Sequence, residues 1–252
     1  MKPNSGSEFM HKTRYEETSV PPQKSGEYPQ PPLELPFPAD ANLIPLPSPT
    51  GIQVPAMDVR TAVEQRRTVR VYSEDALSLD ELTYLLWMSQ GVKKVSKRPA
   101  TLRTVPSAGA RHAFESYLLI NRVEGLTPGL YRYLAIENAL LPLELSEEMN
   151  ARITSACGDQ PQIAGSAVTF IWVVVVDRMF WRYVERGYRY MHLDAGHVCQ
   201  NLALAAEQIG GGICPIAAFD DDELNSVLGL DGLEMFVIYL ASMGKKKLIE
   251  GT

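Results

Sequence analysis

The run Val168-Thr169-Phe170-Ile171-Trp172-Val173-Val174-Val175-Val176 is the longest apolar stretch of the chain. It is too short to span a bilayer as a helix, which needs about 20 apolar residues. Its β-branched content suits a strand buried on both faces. Downstream, Tyr188 to Ile209 reads as a long helix carrying Leu193, Val198, Leu202, Leu204 and Ala205. Gly196 in its interior costs about 1 kcal/mol relative to alanine, so the reading predicts a close packing contact there, with another helix or with a partner chain. Asp220 to Leu228 reads as a short helix, with Asp220-Asp221-Asp222 supplying the N-cap and first-turn acids. Met235 to Ala241 reads as a final strand.

Upstream of the central run, Phe114 to Asn121 reads as a strand. Gly129 to Tyr133 and Ala139 to Leu145 form a hairpin around Glu137-Asn138. Ser146 to Ala156 reads as a helix with acids in its first turn. Ser78-Leu79-Asp80-Glu81 is a capping box that opens a helix through Leu82, Leu85, Leu86 and Met88, ending near Gly91. Met57 to Gln65 is a further helix, and Lys93 to Arg103 reads as a basic loop. Strands and helices interspersed with hairpins predict an α+β fold with a mixed central sheet flanked by helices, rather than a regular βαβ series.

At 252 residues the chain fits one large domain or two small ones. The formal net charge of −6 argues against a nucleic-acid groove. Cys157, Cys199 and Cys214 are odd in number and far apart, which offers neither a disulfide framework nor a metal pair and suits a reducing cytoplasm. Met1 to Met10 lacks the apolar core of a signal peptide. Residues 1–55 are crowded with proline, which resists helix and central strand. They predict an extended arm, distinct from a globular domain over 56–252. Leu33, Leu35, Phe37, Leu43, Ile44 and Leu46 in that arm indicate that it lies in a surface groove, of this chain or of a partner subunit.

The chemistry concentrates in Arg66-Arg67-Thr68-Val69-Arg70-Val71-Tyr72. Arginines gathered in an acidic chain suggest an anion to hold, because guanidinium grips phosphate oxygens through paired donors. If the segment is extended, Arg66, Thr68 and Arg70 share one face, Arg67 faces away, and Arg66 and Arg70 stand roughly 13 Å apart. A solvated run closing a helix with favourable charge is the plainer alternative. A second candidate is the turn Thr104-Val105-Pro106-Ser107-Ala108-Gly109-Ala110-Arg111-His112, whose small residues allow backbone to approach a ligand. Gly210-Gly211-Gly212 is not a dinucleotide fingerprint and no P-loop is present. His192 and His197 point roughly 140° apart on a helix, which speaks against a shared metal, and Cys199 reads as a buried small side chain.

Arg66 to Arg70, then Pro106-Ser107-Ala108-Gly109, then Pro215-Ile216-Ala217-Ala218-Phe219-Asp220 with Glu223-Leu224 and Leu228-Gly229-Leu230, resemble the FMN-dependent nitroreductase superfamily. Arg182-Tyr183-Val184-Glu185-Arg186-Gly187-Tyr188-Arg189-Tyr190 with Asp194-Ala195-Gly196-His197 resembles its SagB-type dehydrogenase branch, over roughly residues 58–247. The resemblance implies FMN at the interface of an intertwined homodimer, with the long helix at that interface. It implies that Arg66 grips the phosphate with Lys245 or Lys246, that Thr68 meets the ribityl chain, and that Arg70 sits by flavin N1 and the C2 carbonyl. Arg67 is carried over with them. Pro106, Ser107, Ala108 and Gly109 would face the ring or ribityl, and a backbone amide at Ala217 or Ala218, after Pro215 and Ile216, would meet N5. Many relatives have Glu-Gly where this chain has Ala217-Ala218. A backbone donor survives that change, whereas a carboxylate contact to nicotinamide does not.

The implied reaction is ping-pong hydride transfer from NAD(P)H through N5 to a nitro, quinone or related electron-poor small molecule, with Arg70, Arg182 and Tyr183 catalytic and Tyr131 and Tyr188 on the substrate side. Azoline-oxidising members of the branch use a Lys-Tyr pair. Arg182 stands at the lysine position and cannot act as a base, which leaves Tyr183 as proton donor and Arg182 as an anion or carbonyl clamp. The alternatives are a SagB-type dehydrogenase that tailors a peptide or natural product with a partner protein, and a flavin-binding protein with little turnover. No nucleic acid or membrane is implied, and the expected location is the cytoplasm.

Overall fold

The computed structural model describes residues 4–247, so the ends of the expected arm and domain, 1–3 and 248–252, lie outside the described residues. The elements run α1 (Ser5–Lys12), α2 (Pro22–Ser25), β1 (Ile44–Pro45), α3 (Val59–Gln65), α4 (Leu79–Gln90), β2 (Val92–Val95), β3 (Thr101–Arg103), β4 (Phe114–Ile120), β5 (Gly129–Leu134) and β6 (Ala139–Glu144). There follow α5 (Glu148–Ala156), α6 (Pro161–Ala164), β7 (Val168–Val175), α7 (Val176–Tyr183), α8 (Gly187–Gln208), β8 (Gly211–Ile216), α9 (Asp221–Val227) and β9 (Met235–Lys245).

The run that opened the sequence reading becomes β7, inside a seven-stranded sheet ordered β1-β6-β5-β4-β7-β9-β8. Side chains on a strand alternate faces, and here that alternation divides two cores. Val168, Phe170, Trp172 and Val174 enter one cluster with Leu118 and Ile120 of β4, the α4 leucines and the inner face of α8. Ile171 and Val173 enter the other with Tyr117 and Leu119, beneath α5, α6 and α9. A strand covered on both faces has no polar face to show, which accounts for its unbroken apolar run.

The named strands of the large sheet pair antiparallel throughout. Among the described residues, parallel pairing enters only at the isolated bridges Thr68–Ile213 and Leu77–Val123. The Ser78 capping box forms as expected, Ser78 Oγ accepting from the Glu81 amide and the Glu81 carboxylate from the Ser78 amide. No helix among the described residues is long and apolar enough to cross a membrane.

Three local expectations change. Lys93 to Arg103 is not a plain loop: β2 and β3 form a short antiparallel ladder, anchored where buried Arg103 donates to the Gln90 side chain at 3.0 Å. Gly211 to Ile216, to which the sequence reading assigned no element, is edge strand β8, and an edge tolerates Pro215. A Cβ built at Gly196 would meet nothing within 4 Å beyond its own turn of helix, so the close contact expected at that glycine is not made within this chain.

The proline-rich arm is not wholly extended, since α1 and α2 form within it, and it lies on its own chain. Proline leaves carbonyls without amide partners nearby, and buried arginines take them up. Arg178 Nε donates to the Pro32 carbonyl at 2.8 Å, and Arg132 donates to the Leu35 and Pro36 carbonyls. Glu115 on β4 holds both guanidiniums and accepts from the Leu35 amide. Tyr28 donates to Asp177, the Trp181 indole donates to the Tyr28 carbonyl, β1 pairs with β6, and Leu46 reaches the core.

Candidate active site

The arginine segment docks along the β8–β9 edge. Val69 donates its amide to the Ile213 carbonyl at 2.9 Å, Ser73 to that of Lys245 at 3.0 Å. Two glycines make this approach possible. A Cβ on Gly212 would meet Val69 Cγ2 at 2.4 Å, and one on Gly244 would meet the Tyr72 ring at 2.7 Å. The buried Tyr72 hydroxyl bridges the Val69 carbonyl, the Ser242 carbonyl and Ser242 Oγ. With Val69 and Tyr72 turned inward, Arg67, Thr68 and Arg70 are exposed and Arg66 is half-buried.

Among the described residues none of Arg66, Arg67 and Arg70 forms an ion pair with a carboxylate. Arg70 reaches toward the Cys214 thiol, whose pKa burial pushes up and the guanidinium pulls back. Arg67, Thr68, Val69 and Arg70 line an open hollow with Lys246 and Lys247. The bridge from Thr68 to Ile213 runs parallel, so Arg70 continues beside the strand that delivers Pro215, Ile216, Ala217 and Ala218. Ala217 and Ala218 are exposed at its end, and the Ala218 carbonyl accepts from Gln160 at 2.7 Å.

The second cluster forms where the 106–112 turn meets α7 and α8. Asp194 is buried and accepts the Ala108 amide at 3.3 Å. Burial raises its pKa against hydrogen bonds from Ser107 and Ala108. Ser107 Oγ accepts from the His112 amide at 2.9 Å. Gly109 is left-handed at φ +58°, and a Cβ there would lie 2.4 Å from the Tyr183 hydroxyl and 3.0 Å from Arg182 Nε, so only glycine lets the turn touch this pair. Ala110 and His112 also have positive φ, and so does β-branched Val184 at φ 44°, ψ −133°. Backbone strain at two abutting turns marks a place where the fold holds side chains against local preference. Arg111 lies 5.4 Å from the Trp181 ring centre and donates to the Gly109 carbonyl. Burial, then the neighbouring Arg103 and Arg111, push His112 down to about 3, so this imidazole is neutral at physiological pH.

Within one subunit the two clusters stay apart. Val175 at one end of β7 takes the Ala113 carbonyl, whereas Thr169 lies in register with Ser242 and, through it, Cys214. At about 3.3 Å per residue, this puts the Cys214 level, where Arg70 lies, roughly 20 Å along β7 from the 106–112 turn, while Pro215 to Ala218 run from that level toward the turn. Ala108 and Gly109 come together with Asp194, Arg182 and Tyr183, whereas Thr68, Val69 and Arg70 meet Gly212, Ile213 and Cys214 of β8, and Ala218 lies instead beside Cys157, Gln160 and Asp220.

Other expected residues are placed differently. Lys245 is held by Glu81 and the Ile209 carbonyl, and Lys246 by buried Glu207, so both ammoniums are already committed. Tyr131 does not face a substrate: it is fully buried in the main core and donates to the Thr127 carbonyl at 2.6 Å, because β5 presents alternate residues to that core. Tyr188 is half-buried at the start of α8, packed against the same core. Arg111 was not singled out by sequence. Its only signal was its place at the end of the small-residue turn, and its aromatic partner lies far along the chain.

Residues 63–245 match the Nitroreductase family. The chain is 31% identical over 198 residues to MJ1384, a candidate nitroreductase of Methanocaldococcus jannaschii, covering 77% of this chain and 96% of that protein. It is 30% identical over 163 residues to the trifolitoxin-processing protein TfxB of Rhizobium leguminosarum bv. trifolii, covering 62% of this chain and 44% of TfxB. It is 26% identical over 133 residues to the microcin B17-processing protein McbC of Escherichia coli, covering 51% of this chain and 49% of McbC. The chain thus spans less than half the length of TfxB and of McbC. Among solved structures, a candidate nitroreductase from Anabaena variabilis superposes with a TM-score of 0.63 at 28% identity, over 74% of this chain and 37% of that one. The chain belongs to the nitroreductase family, in the SagB-type branch with TfxB and McbC.

Proposed function

We propose that the chain is an FMN-dependent oxidoreductase that passes hydride from NAD(P)H to a nitro, quinone or related electron-poor small molecule, acting as a homodimer in a reducing cytoplasm. The observation that carries this reading is the arginine segment. Arg66, Arg67 and Arg70 have no carboxylate partners among the described residues, and their segment is pinned against Ile213 near the start of β8 and Lys245 at the end of β9. Guanidiniums left without partners at a glycine-lined edge fit a phosphate-bearing ligand. When bound, FMN supplies two-electron exchange between donor and acceptor.

The protein's own residues then have distinct tasks. Arg66 and Arg67 hold the phosphate. Thr68 donates to the ribityl chain. Arg70 places a fixed cation where the reduced ring carries negative charge. The amides of Ala217 and Ala218 remain exposed as donors. The Ser107–Gly109 turn with Tyr183 forms the other wall. Because Arg70 lies roughly 20 Å from that turn in one subunit, a second copy is needed to bring one subunit's arginines to the other's turn. The outer side of α8 suits that role: Leu193 is 60% exposed and Gly196 is open. Val59 and Val63 on α3 are also exposed. All three cysteines are buried and unpaired, in keeping with a reducing compartment.

Anaerobic titration of the yellow protein with NADPH, then re-oxidation by a nitroarene, tests the reading. Bleaching and recovery are expected. A colourless protein that fails to take up FMN overturns it. The names of TfxB and McbC favour a second reading, peptide tailoring alongside a partner protein. Stable co-purification with a peptide-binding partner, together with inertness toward nitroarenes and quinones, would select it.

A further inference from the structure

The arm does more than cover the sheet. Residues 15–24 face Arg182–Arg186 across a cavity of about 460 Å³, within the size range of small-molecule sites. Tyr15, Thr18, Ser19, Val20 and Pro21 form its outer wall. That wall is strapped in place. Ser19 gives its amide and hydroxyl to Glu185 at 3.1 and 2.8 Å. Arg186 donates to the Thr13 carbonyl at 3.0 Å, and Arg189 to Thr13 Oγ1 at 2.6 Å.

The lining is one-signed. Lys24, Arg182 and Arg186 border the cavity and no aspartate or glutamate does. Glu185, next in sequence, is already engaged by Ser19. Arg186 is also occupied: its Nε donates to the Tyr190 hydroxyl and its guanidinium sits 5.4 Å from the Tyr15 ring centre. Arg182 is different. Among the described residues it has no ion-pair partner, and its guanidinium sits 5.6 Å from the Tyr183 ring centre. Its Nε reaches the edge of Gly109, and Arg111 is its charged neighbour. A half-buried guanidinium beside like charge, opening on a cavity without acids, calls for an anion. Strained Val184 on the same wall holds the pair in place.

We propose that residues 15–24 are the outer wall of the acceptor pocket and that the pocket takes an acceptor bearing a carboxylate, clamped by Arg182, with its electron-poor end toward Tyr183 and Gly109. This rests on the oxidoreductase reading for what the acceptor undergoes, but not for its binding.

The probes are 4-nitrobenzoate and its neutral analogue 4-nitrobenzamide, titrated into the purified full chain by calorimetry. The acid is expected to bind about tenfold more tightly, the scale of one charge-assisted contact. Arg182→Gln should abolish that preference, and Lys24→Gln should reduce it. In the unaltered protein, 4-nitrobenzoate should slow tryptic cleavage after Lys24 several-fold, and 4-nitrobenzamide should not. Equal binding of acid and amide, a preference that survives Arg182→Gln, or cleavage indifferent to the acid each overturns the proposal. If Arg182→Gln fails to fold by thermal melt, the acid–amide comparison in the unaltered chain decides alone. Failure of NADPH to bleach the flavin strikes the oxidoreductase reading only, since neither binding nor proteolysis requires turnover.

Discussion

Single residues carry the sharpest tests. Arg66 and Arg70 stand in one short segment but are expected to fail differently. Arg66→Ala should weaken FMN binding about tenfold to a hundredfold, the worth of one charged hydrogen-bonding group, read by flavin fluorescence on dilution. Arg70→Ala should retain most FMN and slow its reduction in stopped-flow traces. Reduction at the unaltered rate would remove Arg70 from the ring. Gly109 tests the other cluster. Gly109→Ala adds a methyl 2.4 Å from the Tyr183 hydroxyl at a left-handed φ, so it should cost about 1–2 kcal/mol from the backbone alone, measured by urea denaturation. Combining it with Tyr183→Phe should recover only the steric part. Arginine clustering and a Pro-Ser-Ala-Gly turn were legible in the sequence as candidates. That Lys245 and Lys246 are neutralised by Glu81 and Glu207 was not, because those pairs join distant parts of the chain.

At the scale of elements, the arm and β8 matter most. Glu34 ties the arm to the β5–β6 turn: its carboxylate accepts the Ile136 amide at 3.2 Å, and the Glu137 carboxyl lies beside it. Burial, followed by that carboxyl partner, raises its pKa to about 8 from the usual 4.5. The folded chain therefore favours the protonated form. The stability it contributes is complete below pH 4.5 and is lost as pH rises through about 8. Thermal melts across that window should fall less steeply for Glu34→Gln than for the unaltered protein, and equal slopes would discount the pair. On β8, Gly212→Ala would push Val69 off the sheet edge and so loosen the arginine segment. Its expected effect is weaker FMN retention with the core melting transition little changed. Helices α3, α4, α5, α8 and α9 were legible from capping and periodicity, and β4 to β7 from apolar runs and one hairpin, whereas α1, α2, α6 and α7 were not read from the sequence. Strand β8 was not, because a strand built of glycine, cysteine and proline carries no periodic signal.

For the whole molecule, the proposed reading turns on assembly, with a second copy bringing one subunit's arginine segment to the other's Ser107–Gly109 turn. Gly196→Leu is the cleanest probe, since a Cβ there would meet nothing within 4 Å beyond its own turn of helix. Light scattering should show a shift toward monomer, together with FMN loss. An intact dimer that keeps its flavin would place the interface elsewhere.

The α+β class, the two-faced burial of the central strand, and the short segments that were candidates for ligand chemistry could all be read along the chain. These follow from local quantities: side-chain alternation, capping groups and clustered charge. That Gly212 and Gly244 seat the arginine segment, that Tyr131 belongs to the core, and that the arm closes a cavity over Arg182 emerged with the folded arrangement. Each of those depends on which remote residue arrives opposite, and the spacing along the chain does not encode that.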